Sequence, residues 1–219
     1  MRHACAMLGA VLVMLGMAAV AWGGAPTEQV REYTNAVQKV LDDPVLKAPE
    51  RRQERRAAVR KIANEGFDVA ETARRALGPH WQQRTPAERE EFVQLFADLL
   101  ERTYISRIDL YGGEKLQYTG EQVDGDRAVV KAKVLTKQGT EVPVEARMLK
   151  NGERWLIYDV AIENISLVSS YRVQFDKIIR TSSFAELMNR LKNKRDEFLN
   201  EGAPARRGAL PPFRRSSRA

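Results

Sequence analysis

Few side chains in this 219-residue sequence could carry out bond chemistry. Of the two histidines, His3 lies in an apolar N-terminal stretch, which leaves His80 as the candidate base or metal ligand. A metal site needs several converging ligands, and no cysteine or second histidine stands near His80. The sequence also lacks a Gly-x-Ser-x-Gly nucleophile motif and a phosphate-binding P-loop. We therefore predict neither a metal site nor a cofactor.

The acid in the most unusual setting is Asp159, which interrupts an apolar run. Glu163 falls on the same side of the same predicted strand, but four residues of strand span roughly 13 Å, too far for two carboxylates to flank one bond. Asp159 could therefore act only as a lone general base in a cone-shaped pocket, which would make the protein a small enzyme. The alternative, which we favour, is a structural acid that pairs with an arginine or caps a backbone group at the rim of the sheet.

Asp159 lies in a stretch, residues 155–175, whose apolar period changes from that of a strand to that of a helix. The first half alternates, with Leu156, Tyr158, Val160 and Ile162 predicted to share one face. After Ser166, apolar residues recur at helical spacing. Because both faces of this strand are largely apolar, the strand must be covered, and the following helix supplies apolar surface close by.

The remaining elements follow from periodicity and from start and stop signals. Helices are predicted over residues 27–41, 49–65 and 68–77, and from the capping box Thr85–Glu88 to near residue 108. Strands follow over residues 115–119, 127–136 and 140–150, with an Asn151-Gly152 hairpin turn before the strand that contains Asp159. Pro143 predicts a bulge or an outward-facing edge. Two more helices are predicted, over residues 166–180 and after Ser183.

This order predicts an α+β fold, in which a curved four-stranded antiparallel sheet is packed by helices from both ends of the chain and encloses an apolar pocket. Residues 26–200 would form this single domain. Aromatic residues at helical spacing, such as Phe92 and Phe96, would line either a packed core or a cavity, and periodicity does not distinguish the two.

The ends of the chain differ from this domain. Residues 1–25 have the basic start, uncharged run and small residues of a cleavable signal peptide, with an uncleaved membrane anchor as the alternative. Export would leave a mature chain without cysteine, because Cys5 belongs to the signal. Residues 201–219 form an Arg- and Pro-rich tail predicted to be disordered. The net charge of +7 lies mostly at the ends, and residues 26–201 carry only +1.

Four segments in the same order resemble one protein family: FDVAETARRALGPHW (67–81), TPAEREEFVQLFADLLERTY (85–104), YDVAIENISLVSSYRVQF (158–175) and FAELMNRLK (184–192). The family is MlaC, the periplasmic phospholipid-binding component of the Mla pathway, also called toluene-tolerance or ABC-transporter auxiliary proteins. The resemblance covers nearly all of residues 27–195. Where many members have Glu-Gly-Val-Ser, this chain has Glu163-Asn164-Ile165-Ser166, and Asn tolerates the unusual backbone angles that Gly allows.

The resemblance implies a periplasmic carrier, not an enzyme, that shuttles phospholipid and maintains outer-membrane lipid asymmetry. The implied partners are a phospholipid ligand, an inner-membrane ABC transporter complex with a substrate-binding ring, and an outer-membrane lipoprotein–porin complex. No nucleic acid is expected as a partner. From the apolar pattern, the expected tail contacts are Phe96, Leu100, Tyr104, Tyr158, Val160, Ile162, Leu167, Tyr171 and Phe175. Besides the Asp159 enzyme, a third possibility is an interaction module with a solid core.

Overall fold

The structure, a computed structural model, describes residues 25–105, 112–136 and 138–200. The predicted signal peptide, apart from Ala25, and the predicted tail lie outside the described residues. The helices are α1 (Ala25–Asp42), α2 (Arg52–Gly66), α3 (Val69–Leu77), α4 (Pro86–Tyr104), α5 (Leu167–Thr181) and α6 (Phe184–Asn200). Short 3-10 turns cover Pro49–Arg51 and Gly78–Gln83. The strands are β1 (Lys115–Asp124), β2 (Arg127–Leu135), β3 (Glu141–Asn151), β4 (Arg154–Ile162) and β5 (Ile165–Ser166).

The sheet is an open antiparallel meander in the order β1-β2-β3-β4-β5, which confirms the α+β prediction. It has five strands where the sequence predicted four, because the break expected after β4 contains the short strand β5. Glu163 and Asn164 form the connecting turn, with positive φ values of 50° and 65°. Two successive residues with positive φ match the twist of a tight hairpin, and the Asn side chain favours this conformation. β1 is also longer than predicted.

Two of the predicted helix starts are present as hydrogen bonds. The Thr85 hydroxyl accepts from the Glu88 amide, and the Glu88 carboxylate accepts from the Thr85 amide, which completes the capping box that begins α4. Asp68 caps α3 by accepting from the Glu71 amide at 2.9 Å. These caps fix where α3 and α4 begin and therefore how their apolar faces meet.

Pro143 illustrates how a proline fits a strand that the fold makes central. β3 lies between β2 and β4, so it is not an edge strand. The Pro143 carbonyl accepts from the Glu163 amide at 2.9 Å, so the nitrogen of Pro143 points to the same side, beyond the last β3–β4 pair at Val144 and Ile162. The missing N–H therefore faces the point where β4 has ended, outside the paired residues of β3 and β4.

The buried apolar residues form two clusters. The helical cluster joins α3, α4, α5 and α6, and its buried members are Ala73, Ala76, Leu77, Phe92, Leu95, Phe96, Val168, Phe175, Phe184, Leu187, Met188 and Leu191. The sheet cluster lies between α1 and one face of the sheet, and its buried members are Val30, Ala128, Val130, Ala146, Met148, Trp155 and Ile157. We call this face of the sheet the α1 face.

Polar contacts fasten α1 across the sheet. Glu121 of β1 accepts from both the amide and the hydroxyl of Thr27, at 2.8 and 2.6 Å, in the first turn of α1, where a carboxylate also favours the helix dipole. Farther along α1, the hydroxyls of Thr34 and Tyr118 lie 2.7 Å apart. Within the described residues, none of the helices is both long and apolar enough to span a bilayer.

Candidate functional site

Asp159 is buried, with 3% of its surface exposed, and it forms hydrogen bonds to three other residues of the sheet and α5. Its carboxylate accepts from the Ser166 hydroxyl at 2.6 Å, from the Val168 amide at 3.0 Å and from Nη1 of Arg147 at 3.1 Å. It therefore ties β4 and β3 to the beginning of α5. The preferred prediction, an acid that pairs with an arginine and caps a backbone group, is confirmed. A carboxylate held by three donors is poorly placed to take a proton from a substrate.

His80 has a similar structural role. Its Nε2 lies 2.9 Å from Oδ1 of Asp176, which connects the Gly78–Gln83 turn to the middle of α5. In the parts of the chain that the structure describes, no three His, Cys, Asp or Glu side chains converge as they would around a metal ion. The pair joins two segments beside the helical cluster, and it has no serine or cysteine bonded to it in the described residues.

A β-bulge in β4 corrects the predicted assignment of its faces. Met148 of β3 pairs with Ile157 and Ala146 pairs with Val160, so two residues of β3 lie opposite three of β4, and Tyr158 is the extra residue. Directly paired residues share a face. Trp155 and Ile157 therefore lie on the same α1 face as Val160 and Ile162, although strict alternation separated them. Those four residues line one face, and Asp159 lies on the opposite face with Arg147.

Four of the nine predicted tail contacts lie in or against the helical cluster. Phe96 and Phe175 are 0% and 4% exposed and their ring centroids are 5.3 Å apart. Tyr171 and Leu100 pack against the same cluster at its margin. Phe92 stacks on Phe96 at 5.8 Å. The structure thus gives Phe96 and Phe175 a place in a packed core, the first of the two roles that periodicity left open.

The other five predicted contacts are separated from one another. Val160 packs against the sheet cluster, whereas Ile162 is 49% exposed at the end of β4. The Tyr158 ring lies under the guanidinium of Arg75, 4.0 Å from the ring centroid. Tyr104 is 39% exposed at the end of α4, and Leu167 is half-buried at the beginning of α5. Whether any of the nine contacts a lipid stays a prediction.

Sequence reasoning missed an apolar region that the register of the sheet creates. The pairs Leu116–Val134, Val134–Val142 and Val144–Ile162 place five apolar side chains on the α1 face, at the end of the sheet where β4 finishes. We call these residues the open end of the sheet: Leu116, Val134, Val142, Val144 and Ile162. None of them is buried, unlike Val130 and Met148 on the same face. Alternation alone indicated each strand's apolar face, but the pairing decided which residues lie together.

Two surface cavities lined by described residues lie elsewhere or only touch this region. One, of about 120 Å³, is lined mainly by residues of β2 and β3, including Lys131 and Glu145. The other, of about 430 Å³, is lined by Arg31, Leu116 and Tyr118 among others. Neither includes any of the nine predicted tail contacts, so an enclosed apolar pocket between sheet and helices stays a prediction.

Comparison with solved structures reveals a match over most of the chain. A phospholipid-binding protein from Ralstonia solanacearum, solved in complex with a phospholipid at 1.53 Å resolution, superposes with a TM-score of 0.69. It is 23% identical in sequence, and the match covers 78% of this chain and 97% of the other. At this identity the likeness shows that the two share a fold.

The comparison with protein families is more specific. The model of the MlaC protein family matches residues 31–193, from α1 to α6. The match includes the helical cluster, the open end of the sheet and all of the sheet cluster except Val30. The match spans the same region as the four segments whose order pointed to this family in the sequence. The chain belongs to the MlaC protein family.

Proposed function

We propose that this protein is a phospholipid carrier whose acyl-chain site includes the open end of the sheet. The observation that carries the proposal concerns the α1 face of the sheet. Among the described residues, this face is buried at the sheet cluster and half-exposed at the open end of the sheet. Support also comes from the family and from the similarly folded R. solanacearum protein, which was solved with a phospholipid bound.

The energetics of acyl chains explain why a carrier needs such a surface. At about 0.8 kcal/mol per CH₂, two chains of about 15 carbons would lose on the order of 20 kcal/mol if they were exposed to water. The open end offers apolar side chains from four neighbouring strands and no charged residue among its five members. Val160 continues this surface toward the sheet cluster. Among the nine predicted contacts, Val160, Ile162, Tyr104 and Leu167 are the ones that we propose remain available to a tail.

The wider role that we propose is transport in the periplasm. The protein would be exported by its signal peptide and would exchange phospholipid with an outer-membrane lipoprotein–porin complex and an inner-membrane ABC transporter complex. This role rests on the family alone. No enzymatic step is proposed, because the carboxylate that motivated one, Asp159, is fully engaged in structural hydrogen bonds.

Lipid extraction tests the proposal. The protein is expressed as the full chain, purified without detergent, extracted with organic solvent and examined by mass spectrometry. About one phospholipid per protein is expected. Folded protein that has never been delipidated and releases none would overturn the proposal.

A matched pair of variants tests the location of the site. Ile162 and Val123 both lie on the α1 face and are 49% and 52% exposed, but they stand at opposite ends of the sheet. Ile162→Asp should reduce the amount of bound lipid several-fold, since a tail would have to desolvate the new carboxylate. Val123→Asp should leave lipid content unchanged. Equal lipid content in both variants would place the acyl chains elsewhere.

A further inference from the structure

A rigid loop between α1 and α2 presents an apolar side chain to solvent. Oδ1 of Asp43 accepts from the amides of Val45 and Leu46, at 2.8 and 3.2 Å. From the other side, Nη1 of Arg55 in α2 donates to the carbonyls of Leu46 and Lys47, at 3.1 and 3.4 Å. The loop is therefore held at both sides, and Val45 at its tip is 58% exposed.

The chain segment that contains this tip is rich in basic residues. Residues 42–61 contain seven basic and four acidic side chains, a net charge of +3, whereas residues 26–201 as a whole carry a net charge of only +1. Ion pairs engage several of these cations, among them Lys47 with Asp42, Arg51 with Glu54 and Arg60 with Glu101, but the segment keeps its excess of positive charge. The remainder of the domain is accordingly acidic, so the positive charge is concentrated on one region.

We propose that the Val45 tip and the basic face of α2 form a docking surface for an anionic phospholipid bilayer. An exposed apolar residue next to a helix rich in cations matches the boundary between acyl chains and anionic head groups. An acidic protein would satisfy the charges but would not require a rigid, exposed apolar tip. The proposal is independent of the acyl-chain site, because it concerns where the protein rests on a membrane and not what it carries.

Vesicle binding tests this surface. The purified full chain is sedimented with vesicles rich in phosphatidylglycerol and with vesicles of phosphatidylcholine alone, at low and high salt. Binding to the anionic vesicles is expected, and salt should weaken it because exposed charges are screened. Lys47→Ala combined with Arg52→Ala should weaken binding roughly 25-fold, which is about fivefold per cation removed. Val45→Ser should weaken it several-fold.

Matched controls separate this surface from general charge and hydrophobicity. Lys177→Ala combined with Arg127→Ala removes one exposed lysine and one exposed arginine outside residues 42–61. Val173→Ser changes a valine that is even more exposed, at 69%, on α5. Both controls should bind as the unaltered protein does. Three results would each overturn the proposal: no binding to anionic vesicles, full binding by the Lys47/Arg52 variant, or an equal loss in the controls. Lipid extraction reads out the carrier function separately.

Discussion

The helical half and the sheet half of this protein bury their apolar surface differently. In the helical cluster, aromatic rings fill the interior: Phe96 lies 5.0 Å from the Tyr171 ring and 5.3 Å from the Phe175 ring, and Phe92 is 0% exposed. In the sheet cluster, side chains mostly smaller than these rings pack with Val30, the buried member that α1 contributes among the described residues, and the sheet beyond them stays half-exposed. The first half completes its own core, whereas the second leaves apolar surface that a ligand could cover.

The largest expected effect comes from the core of the helical half. Phe92→Ala should lower the free energy of unfolding by about 3–5 kcal/mol, because a buried aromatic ring leaves a cavity. Ile162→Ala, at the open end of the sheet, should cost less than about 1 kcal/mol, since the side chain is 49% exposed. Urea unfolding of delipidated protein measures both. Similar losses in the two variants would mean that the halves do not differ in this way.

The second-largest loss of stability is expected from Asp159, which connects the sheet to α5. Asp159→Asn should lower the free energy of unfolding by about 1.5–3 kcal/mol, because hydrogen bonds from Ser166 and the Val168 amide to a charged group are weakened. The ion pair with Arg147 adds little, since that arginine side chain is 35% exposed. Asp124→Asn, on an exposed residue of β1, serves as the control and should be near neutral. An Asp159→Asn variant as stable as the unaltered protein would show that the hydrogen bonds of Asp159 do not contribute to stability.

Acid should weaken the helical half. A hydrogen bond from Arg74, together with Arg75, lowers the pKa of Glu71 in α3 below its ordinary value of 4.5. The ionised carboxylate stabilises the folded protein fully when the pH is above the ordinary pKa of 4.5. This stabilisation is lost as the pH falls through the lowered pKa of the folded state. Glu71→Gln should therefore flatten the decline of unfolding free energy below pH 4.5. If the variant lost stability in acid as steeply as the unaltered protein, Glu71 would not be the cause of that loss.

Alkali should weaken the sheet half, by a smaller amount. Burial raises the pKa of Tyr118 above its ordinary value of 10.0. Its contribution to stability is complete below that value and is lost as the pH rises through the raised pKa, because the unfolded chain ionises first. Tyr118→Phe should reduce the decline of unfolding free energy at alkaline pH. It should change the unfolding free energy little near neutral pH, since the Thr34 hydroxyl keeps its bond to the Arg31 carbonyl. If the unfolding free energy of the variant declined more steeply in alkali than that of the unaltered protein, Tyr118 would not be the cause of the decline.

Local sequence signals predicted the elements of this fold well. The capping box at Thr85 and the N-cap at Asp68 depend on side chains that bond to amides three residues away, so the sequence contains both partners. The Asn151-Gly152 signal likewise marked the hairpin between β3 and β4. Even the role of Asp159 was predictable in kind, because an isolated acid in an apolar strand needs donors.

Predictions that depended on pairing failed where the pairing is irregular. Tyr158 was placed on one face with Val160 and Ile162, but the bulge makes it the unpaired residue and brings Ile157 to their face. A bulge adds one residue without changing the local apolar pattern, so periodicity does not reveal it.

The sequence by itself determined the order of the helices and strands, most of their boundaries and the family, because these depend on local spacing and on segments read in order. Tertiary structure alone decided which apolar residues close a core and which stay half-exposed at the open end of the sheet. The reason is that burial depends on register and on which helix lies above each strand, and both are set between residues far apart in the chain.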